Sequence, residues 1–281
     1  MKKVLAFDCG GTNTRLALIN EKLEIEKSEV IPTVTCDKEK WINNLVKLIE
    51  KFPLENVVAI SLGIPGVCDR EKGVILDMSN VGIKDVEIRK ILTQKFSLPV
   101  YIRNDAEVGC LGEAYSGSGK TFSRVFFITI STGLGGALCV DKINQDYVTE
   151  VGHTAFTYKN HLTEYEKLVS GLNIINLAKF NNVNGVKTAR EMFDGVRKND
   201  QDCIVLFDEW LSILFKFFKL IINSYNPDII CITGGLTKSK DLFLPKLQEN
   251  FKNTKIVECF YKEEAGLYGS AVYGFQSILK N

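Results

Sequence analysis

Two segments of the chain combine glycine pairs with hydroxyl and amide side chains between apolar runs. The first reads VLAFDCGGTNTRLAL (residues 4–18), and the second reads FFITISTGLGGALCV (126–140), close to half a chain length later. Each pattern is typical of a β-hairpin whose turn offers bare backbone N–H groups, and such groups hold phosphate oxygens well. Two such turns on two similar halves indicate a duplicated protein that grips a polyphosphate. The chemistry they favour is that of a nucleotide-dependent kinase or ATPase.

The first turn carries most of the polar groups. Thr12 and Asn13 add side-chain donors beside Gly10 and Gly11, and these four residues are predicted to bind the nucleotide. Asp8 is the carboxylate of this segment, and Mg²⁺ prefers carboxylate and phosphate oxygens. We therefore predict that Asp8 holds the Mg²⁺ ion that accompanies ATP. An ordinary hairpin turn is the alternative explanation of this segment.

The second turn has Ser131 where the first has Asp8, so only one copy offers a carboxylate. A third glycine pair follows the buried run DIICIT and opens a helix, where the adenosine end of a nucleotide would pack; a plain strand-to-helix turn is the alternative. The predicted nucleotide contacts of the second half are Thr132, Gly133, Gly135, Gly234 and Gly235.

An Asn-Asp pair joins a predicted strand to a predicted helix. Asn104 and Asp105 follow PVYIR, and residues at such a junction often cap the helix. Phosphoryl transfer to an alcohol, however, needs positioning, charge neutralisation and one base near the hydroxyl. Because an aspartate has a reference pKa of about 3.9, it is ionised at neutral pH. Asp105 is therefore the predicted catalytic base, with helix capping as the alternative role.

A histidine stands three positions after a glutamate beside the second hairpin, in Glu150-Val151-Gly152-His153, and Glu166 follows in YEKLVSG. The chain has only two histidines. A His–Glu pair can be a ligand-binding group or a satisfied structural pair, and the residues alone leave both open.

A relaxed Walker A pattern, AYSGSGKT at 114–121, lies in the wrong context for phosphate binding. A true P-loop follows a strand and opens a helix. Here the preceding AEVGCLGEA predicts a helix and the following SRVFFITI predicts a strand. We therefore interpret this segment as a turn between domains.

Composition excludes several classes of protein. The chain has 281 residues and a formal net charge of +1, with no polybasic tract of the kind that binds nucleic acid. No apolar run approaches the roughly 18 residues that span a bilayer, and the N-terminus lacks the apolar core of a signal peptide. The eight cysteines are scattered without CxxC spacing, which is typical of reduced thiols. These features predict a cytoplasmic protein with no membrane or nucleic-acid partner.

Strand-rich and helix-rich stretches alternate, which predicts an α/β architecture with two similar domains. Strands are expected at 3–8, 14–20, 23–30 and 57–63 in the first half. The second half is expected to become mostly helical after its hairpin, with helices over 163–180, 187–198 and 201–225.

Six motifs occur in an order that resembles bacterial glucokinases and the ROK sugar kinases of the actin/hexokinase-like superfamily. They are DCGGTNTRLAL, GIPG (63–66), RNDAEVGCLGE (103–113), STGLGG, EVGH and TGGL, and they cover nearly the whole chain. The resemblance implies two actin-like (ribonuclease H-like) α/β domains around a nucleotide and sugar cleft. We place the small domain at 1–117 plus 266–281 and the large domain at 118–265.

The resemblance also implies site residues. Asp105 corresponds to the family's catalytic base. Matched motif positions also imply the residues that contact the sugar, Asp105 among them. They are Gly66, Asn80, Asn104, Asp105, Glu150, His153 and Glu166.

One motif departs from the resemblance. Most ROK kinases carry a CxCGxxGCxE zinc-binding stretch after the GH motif, but this chain has TAFTYKNHLTEYE and no cysteine from 140 to 202. Because a structural zinc needs about four N or S ligands, His153 and His161 alone cannot supply them. We therefore predict no zinc, and we expect hydrogen bonding alone to orient His153, as in glucokinases or in zinc-free members such as some N-acetylmannosamine kinases.

The resemblance therefore implies an ATP- and Mg²⁺-dependent kinase that phosphorylates a hexose, with glucose at O6 as the expected reaction. N-acetylmannosamine or N-acetylglucosamine is the alternative substrate, and allose, fructose or a phosphorylated β-glucoside stays open. A non-catalytic sugar sensor is a further alternative. A ROK-type repressor is disfavoured because the chain starts directly with its first strand. A homodimer is expected.

Overall fold

The computed structural model describes residues 1–146 and 150–279, and the chain divides into two units. Unit 1 comprises Met1–Gly117 and Glu264–Asn281, and unit 2 comprises Ser118–Glu263. Both ends of the chain therefore belong to unit 1. Within the described ranges, no helix combines the length and the apolar character needed to cross a bilayer.

Unit 1 contains a five-stranded sheet, a three-stranded sheet and four helices. In chain order its strands are β1 (Lys3–Cys9), β2 (Asn13–Asn20), β3 (Ile25–Pro32), β4 (Val57–Ile64), β5 (Val67–Asp69), β6 (Val74–Met78), β7 (Ile83–Val86) and β8 (Val100–Asn104). Its helices are α1 (Lys38–Ile49), α2 (Ile88–Phe96), α3 (Asp105–Tyr115) and, from the C-terminal segment, α9 (Ala265–Ile278).

In its described residues, unit 2 contains a second five-stranded sheet, a hairpin and five α-helices. In chain order its strands are β9 (Arg124–Ile130), β10 (Leu134–Val140), β11 (Ile143–Asn144), β12 (Ala155–Tyr158), β13 (His161–Glu164), β14 (Ile229–Thr233) and β15 (Lys255–Glu258). Its helices are α4 (Glu166–Val169), α5 (Ile174–Phe180), α6 (Ala189–Arg197), α7 (Gln201–Tyr225) and α8 (Lys240–Asn250).

The two five-stranded sheets share one topology. Their strand orders are β3-β2-β1-β4-β8 and β11-β10-β9-β14-β15. In each sheet an antiparallel meander of three strands is followed by two strands that run parallel to the first of the meander. The strand β4, VVAISLGI, is apolar almost throughout because a parallel strand is covered on both faces. The duplication expected from the two glycine turns is therefore present in the topology.

A different helix packs on each face of the five-stranded sheet of unit 1. Trp41 and Leu45 of α1 pack with Leu5 and Phe7 on one face. On the other face, Ala271 of α9 packs among small side chains of β1, β2 and β4. The core of unit 2 centres on α7, whose Trp210 donates its indole N–H to the carbonyl of Val169 at 2.9 Å.

The predicted helix over 163–180 is not continuous: residues 163 and 164 belong to a strand, and 170–173 separate two helices. Residues 155–164 form the hairpin β12–β13, and the helices that follow, α4 and α5, are short. Lys159 and Asn160 both adopt positive φ, of 45° and 65°, which matches the two-residue turn that fits the twist of a hairpin. The strands β7 and β15 were also absent from the sequence-based prediction.

Candidate active site

The parallel strands β1, β4 and β8 end at one edge of the unit 1 sheet. Asp8 lies opposite Gly63 in the register, and Ile64 lies opposite Asn104. The glycine turn after β1, the GIPG segment after β4 and the Asn-Asp pair after β8 therefore meet at the carboxyl ends of the strands. Ligands of open α/β sheets bind at this edge.

Asn104 acts as a structural bridge at that edge. Its Oδ1 accepts hydrogen bonds from the N–H groups of Ala106 at 2.9 Å and Glu107 at 3.4 Å, which caps α3. Its Nδ2 donates to the carbonyl of Gly66 at 3.0 Å. Gly66 has φ +98°, and a Cβ there would lie 2.2 Å from the carbonyl oxygen of Asp77. Asn104 and Gly66 thus fix the local backbone, and their contact with a sugar stays a prediction.

Asp105 is the first residue of α3, where the helix dipole favours an anionic side chain. Its Oδ1 accepts the N–H of Ala106 at 2.8 Å, which holds the carboxylate at the helix start. Burial raises the pKa of the Cys9 thiol, and the charges of Asp8 and Asp105 raise that pKa further. Asp8, the predicted Mg²⁺ ligand, and Asp105, the predicted base, therefore lie at the carboxyl ends of strands that share one sheet edge.

Asp8 is mostly buried and pairs with Arg15 across the β1–β2 hairpin, with Oδ2 3.3 Å from Nη1. Burial raises the pKa of the Asp8 carboxyl, whereas the charge of Arg15 and its hydrogen bond lower it. A Cβ on Gly266 would lie 2.9 Å from Oδ1 of Asp8, so the N-terminus of α9 packs closely against the carboxylate. Asp8 is also the only carboxylate between residues 8 and 15, and its oxygens fit the ligand preference of Mg²⁺.

The glycine turn after β1 has one glycine that the fold does not require. Gly10 donates its N–H to the carbonyl of Asn13 at 2.9 Å, and its own Cβ would lie 3.0 Å from that oxygen. At Gly11, by contrast, a Cβ would meet nothing within 4 Å, and its φ lies outside the left-handed region. Thr12 and Asn13 are exposed beside it. The turn therefore leaves open space where a bound group could approach the backbone.

Asn80 lies exposed in the turn between β6 and β7. This turn begins close to Asp77, whose carbonyl packs against Gly66. The three-stranded sheet thus connects the predicted sugar residues Gly66 and Asn80 within unit 1.

In unit 2, Glu166 joins the second glycine turn. Its Oε2 accepts the backbone N–H of Leu134 at 2.8 Å, and a Cβ on Gly133 would lie 2.7 Å from the same oxygen. The N–H of Gly171 also donates to the carbonyl of Ser131 at 2.7 Å. The structure therefore brings a predicted sugar carboxylate into contact with a predicted phosphate turn.

The Glu150–His153 segment packs against the same turn. A Cβ on Gly152 would lie 2.1 Å from the carbonyl oxygen of Leu134, so a larger residue there would push the segment away. His153 Nδ1 lies 2.9 Å from Oε2 of Glu164, and Nε2 lies 3.6 Å from Oε2 of Glu150. Two glutamates, Glu150 and Glu164, therefore flank the ring.

The other predicted nucleotide residues of unit 2 lie at the ends of β9 and β14. Gly234 has φ +99°, and its Cβ would lie 2.4 Å from the carbonyl oxygen of Ile130, so the fold requires glycine there. At Gly235 a Cβ would meet nothing within 4 Å. Thr132 is exposed in the turn, and Gly135 pairs with Thr129 in the ladder.

Two residues at the site were absent from the sequence-based prediction. The sequence could have predicted the pairing of Arg15 with Asp8, because a hairpin that turns at Gly10 and Gly11 places positions 8 and 15 opposite each other. Glu164 had none, since its segment was expected to be helical. Within residues 1–146 and 150–279, no three or more His, Cys, Asp or Glu side chains gather as a possible metal site. The absence of zinc nevertheless stays a prediction.

Comparison with known proteins identifies the family. The sequence model of the ROK family matches residues 4–272 of this chain. The chain belongs to the ROK family. ROK proteins of known structure have a two-domain actin-like fold, so the predicted fold class is confirmed.

Family members with different roles are similar to this chain. An N-acetyl-D-glucosamine kinase of Aliivibrio salmonicida is 28% identical over 296 residues, which cover 94% of this chain and 97% of that protein. A xylose repressor of Caldicellulosiruptor bescii is 26% identical over 254 residues, or 80% of this chain. The match spans 63% of the repressor's length. The ROK glucokinase of Streptomyces griseus, solved with glucose and AMPPNP, has a TM-score of 0.79 at 19% identity and covers 98% of this chain and 99% of its own.

Proposed function

We propose that this ROK protein is an ATP-dependent sugar kinase that transfers the γ-phosphoryl group of ATP to a hexose hydroxyl. The observation that carries the proposal is the strand edge of unit 1. There a glycine turn with open space at Gly11 and two carboxylates, Asp8 and Asp105, lie at the carboxyl ends of parallel strands that share one sheet edge. A phosphate-binding turn beside a fixed carboxylate is the minimum that phosphoryl transfer to an alcohol requires.

In the proposed reaction, Asp105 accepts the proton of the attacking sugar hydroxyl as its oxygen bonds to the γ-phosphorus and ADP leaves. The first glycine turn binds phosphate oxygens through backbone N–H groups, and Thr12 and Asn13 add side-chain donors. Asp8 would hold Mg²⁺, which neutralises charge on the phosphates when bound. Burial, the largest effect, raises the pKa of the Asp8 carboxyl, and the ion pair with Arg15 offsets part of that rise.

Unit 2 supplies the remaining predicted groups. The turn with Thr132, Gly133 and Gly135 is proposed to bind phosphate, and the segment at Gly234 and Gly235 is proposed to bind the adenosine end. Glu150, His153 and Glu166 are proposed to bind sugar hydroxyls together with Asn80, Gly66 and Asn104 of unit 1. The contact between Glu166 and the second glycine turn supports a shared role in one reaction.

Glucose, phosphorylated at O6, is the proposed substrate. N-acetylglucosamine and N-acetylmannosamine are the second candidates, because a relative of nearly equal length is an N-acetyl-D-glucosamine kinase. One or two pocket contacts can separate these sugars, since such differences amount to a few kcal/mol. A homodimer in the cytoplasm is proposed on the family resemblance, and light scattering during size-exclusion chromatography tests the dimer.

The test is ADP release with MgATP across a panel of glucose, mannose, fructose, allose, N-acetylglucosamine and N-acetylmannosamine. Asp105→Asn should lower kcat by about 10²–10⁴-fold, since a positioned base contributes a factor of this size. Sugar binding, measured by calorimetry, should persist in that variant. Turnover close to wild type in Asp105→Asn would remove Asp105 from the role of base.

A sugar sensor is the alternative, and the similarity to a xylose repressor over 80% of this chain favours it as the second function to test. It predicts sugar binding with no ADP release on any sugar of the panel. The kinase proposal predicts ADP release in proportion to sugar phosphate formed.

A further inference from the structure

His153 lies at the end of a short 3-10 helix, Val151–His153, and its side chain is about half exposed. Its two ring nitrogens have different neighbours. Nδ1 lies 2.9 Å from Oε2 of Glu164, within hydrogen-bond range. Nε2 lies 3.6 Å from Oε2 of Glu150, which is too long for a hydrogen bond. Nδ1 is thus engaged in a hydrogen bond with Glu164, whereas Nε2 makes no hydrogen bond with Glu150.

Glu164 stands on an anchored element. It ends β13, where it pairs with Ala155 of β12. Tyr165, the next residue, stacks on Phe156 with ring centroids 4.1 Å apart. At the far end of the hairpin, Tyr158 donates its hydroxyl to Glu209 of α7 at 2.9 Å. Tyr165 also lies 5.2 Å from Phe217 of α7, measured between ring centroids. The hairpin therefore contacts α7 at both ends, which restrains the carboxylate of Glu164.

This geometry decides which nitrogen carries the proton. An ionised carboxylate only accepts hydrogen bonds, so the nitrogen that faces Glu164 must be protonated. In the neutral ring, Nδ1 then donates and Nε2 keeps its lone pair. Nε2 and the carboxylate of Glu150 become two acceptors side by side. Two neighbouring acceptors suit two hydroxyl donors on adjacent carbons of a ligand.

We propose that Glu164 is the positioning residue of the sugar site: it holds His153 in the Nδ1–H tautomer so that Nε2 accepts a hydrogen bond from a sugar hydroxyl. This inference rests on the proposed function, because it takes the ligand of His153 to be the sugar. It adds a residue that no motif of the sequence indicated. Glu164 itself does not touch the substrate.

Protonation of His153 should oppose sugar binding. A protonated ring turns Nε2 from an acceptor into a donor, and its nearest acceptor is Glu150. The hydrogen bond to Glu164 raises the pKa of His153, burial lowers it, and the charges of Glu166, Glu164 and Glu150 raise it. The same hydrogen bond lowers the pKa of Glu164, beside which Lys167 is the facing cation. Because the folded pKa of His153 lies above its ordinary value, sugar affinity should fall as the pH drops through that raised pKa.

Nuclear magnetic resonance tests the pair without any activity assay. The chain has only two histidines, so His161→Gln assigns both imidazole signals. Long-range ¹H–¹⁵N correlation spectra at high pH should report the Nδ1–H tautomer for His153. In Glu164→Gln the tautomer should become mixed, because an amide can donate or accept, and the titration midpoint should move towards 6.5. An unchanged tautomer and midpoint in Glu164→Gln would overturn the proposal.

Kinetics test whether the pair serves the sugar. Glu164→Gln should raise KM for the sugar about tenfold at pH 7.5, the effect of one lost hydrogen bond, and leave kcat within about twofold. The acid limb of kcat/KM should move to lower pH. Glu164→Ala should raise KM at least as much. His161→Gln, on the same hairpin, should leave KM and the acid limb unchanged.

The outcomes separate this inference from the proposed function. If NMR shows the pair but Glu164→Gln leaves KM for the sugar unchanged, the positioning role is wrong while the kinase stands. If sugar shifts the His153 signals without turnover, the kinase proposal fails while the positioning role survives. If no sugar of the panel shifts the His153 signals in the wild type, the positioning role is overturned as well.

Discussion

Two different physical reasons explain why glycine stands at positions of the candidate site. At Gly66 and Gly234 the backbone has positive φ and a neighbouring carbonyl within 2.4 Å of the missing Cβ, so the fold itself excludes a side chain. At Gly11 neither constraint exists, and a methyl group would enter open space. A glycine without a structural reason beside a strand end supports the presence of a ligand that approaches the backbone.

Alanine substitutions distinguish a glycine that the fold requires from one that a ligand requires. Gly11→Ala should leave the free energy of unfolding unchanged or raise it by about 0.4–1 kcal/mol, because the unfolded chain loses freedom. The same variant should raise KM for MgATP about tenfold or more, since the methyl group occupies the phosphate position. Urea unfolding and ADP-release kinetics measure the two effects.

Gly66→Ala is the matched control, with the opposite pattern expected in stability. It should lower the free energy of unfolding by about 1–3 kcal/mol, because φ +98° strains alanine and its Cβ would overlap the Asp77 carbonyl. A Gly11→Ala protein with wild-type KM for MgATP would contradict nucleotide binding at this turn. Equal destabilisation by both variants would contradict the open space at Gly11.

At the scale of elements, unit 1 depends on one close helix contact. A Cβ on Gly269 of α9 would lie 1.6 Å from the carbonyl oxygen of Val108 in α3, and one on Gly112 would lie 2.7 Å from the carbonyl oxygen of Ala265. The backbones of the two helices therefore touch directly. Because α3 begins with Asp105 and α9 begins beside Asp8, this contact also sets the spacing of elements that carry both carboxylates.

Gly269→Ala should destabilise the protein severely, by several kcal/mol, because the obstructing atoms belong to backbone that cannot rotate away. Ser277→Ala, on the same helix, should change stability by less than about 0.5 kcal/mol, as for ordinary surface substitutions. Thermal unfolding followed by circular dichroism measures both. A Gly269→Ala midpoint within 2 °C of wild type (roughly 1 kcal/mol for a chain of this size) would rule out the direct contact.

The sequence predicted those elements whose pattern is local. The long apolar periodicity of α7 and the continuous apolar runs of β1, β4 and β14 are such patterns, and their predicted ranges match within a few residues. The hairpin β12–β13 was missed because its strands have four residues each, too few for a clear alternation. Its stability comes from contacts distant in sequence, such as Tyr158 with Glu209.

The candidate site likewise contains residues that a local pattern predicts and contacts that only the tertiary structure shows. Spacing alone predicted that Asp8, the first two glycine turns and Asp105 lie at strand ends, since each adjoins a strongly predicted strand, and the structure places them there. Their roles stay predictions. Glu164 required the missed hairpin, and the contact between Glu166 and Leu134 joins positions 32 apart along the chain. The bridge from Asn104 to Gly66 spans 38 positions, so no local pattern could reveal it. Pairings of this kind are decided by tertiary packing.

At the scale of the whole molecule, none of the eight cysteines, all within the described residues, forms a disulfide, and six of them are buried. Cys36 is exposed, and Cys68 is partly buried with its pKa raised to about 11, chiefly by burial. Because the thiolate is the reactive form, Cys68 should react slowly at pH 7.5. We expect one thiol to react rapidly with Ellman's reagent in the native protein and all eight in denaturant.

Cys36→Ser should abolish the rapid phase and leave seven thiols in denaturant. Cys68→Ser should keep the rapid phase intact. Two or more rapid thiols in the native wild type would mean that cysteines placed in the strands are accessible.

Unit 2 interrupts unit 1 in the sequence, and Ser270 of α9 donates its hydroxyl to the carbonyl of Phe7 in β1 at 2.7 Å. During translation the first strand therefore emerges long before the helix that covers it. Val4, Ala6 and Ala59 lie on the face of the sheet that α9 covers, so this face stays uncovered until α9 has been synthesised. The usual order, in which the N-terminal domain folds first, is reversed here, because unit 2 is synthesised in full before α9. A nascent chain of this protein thus offers chaperones an apolar sheet face until α9 emerges.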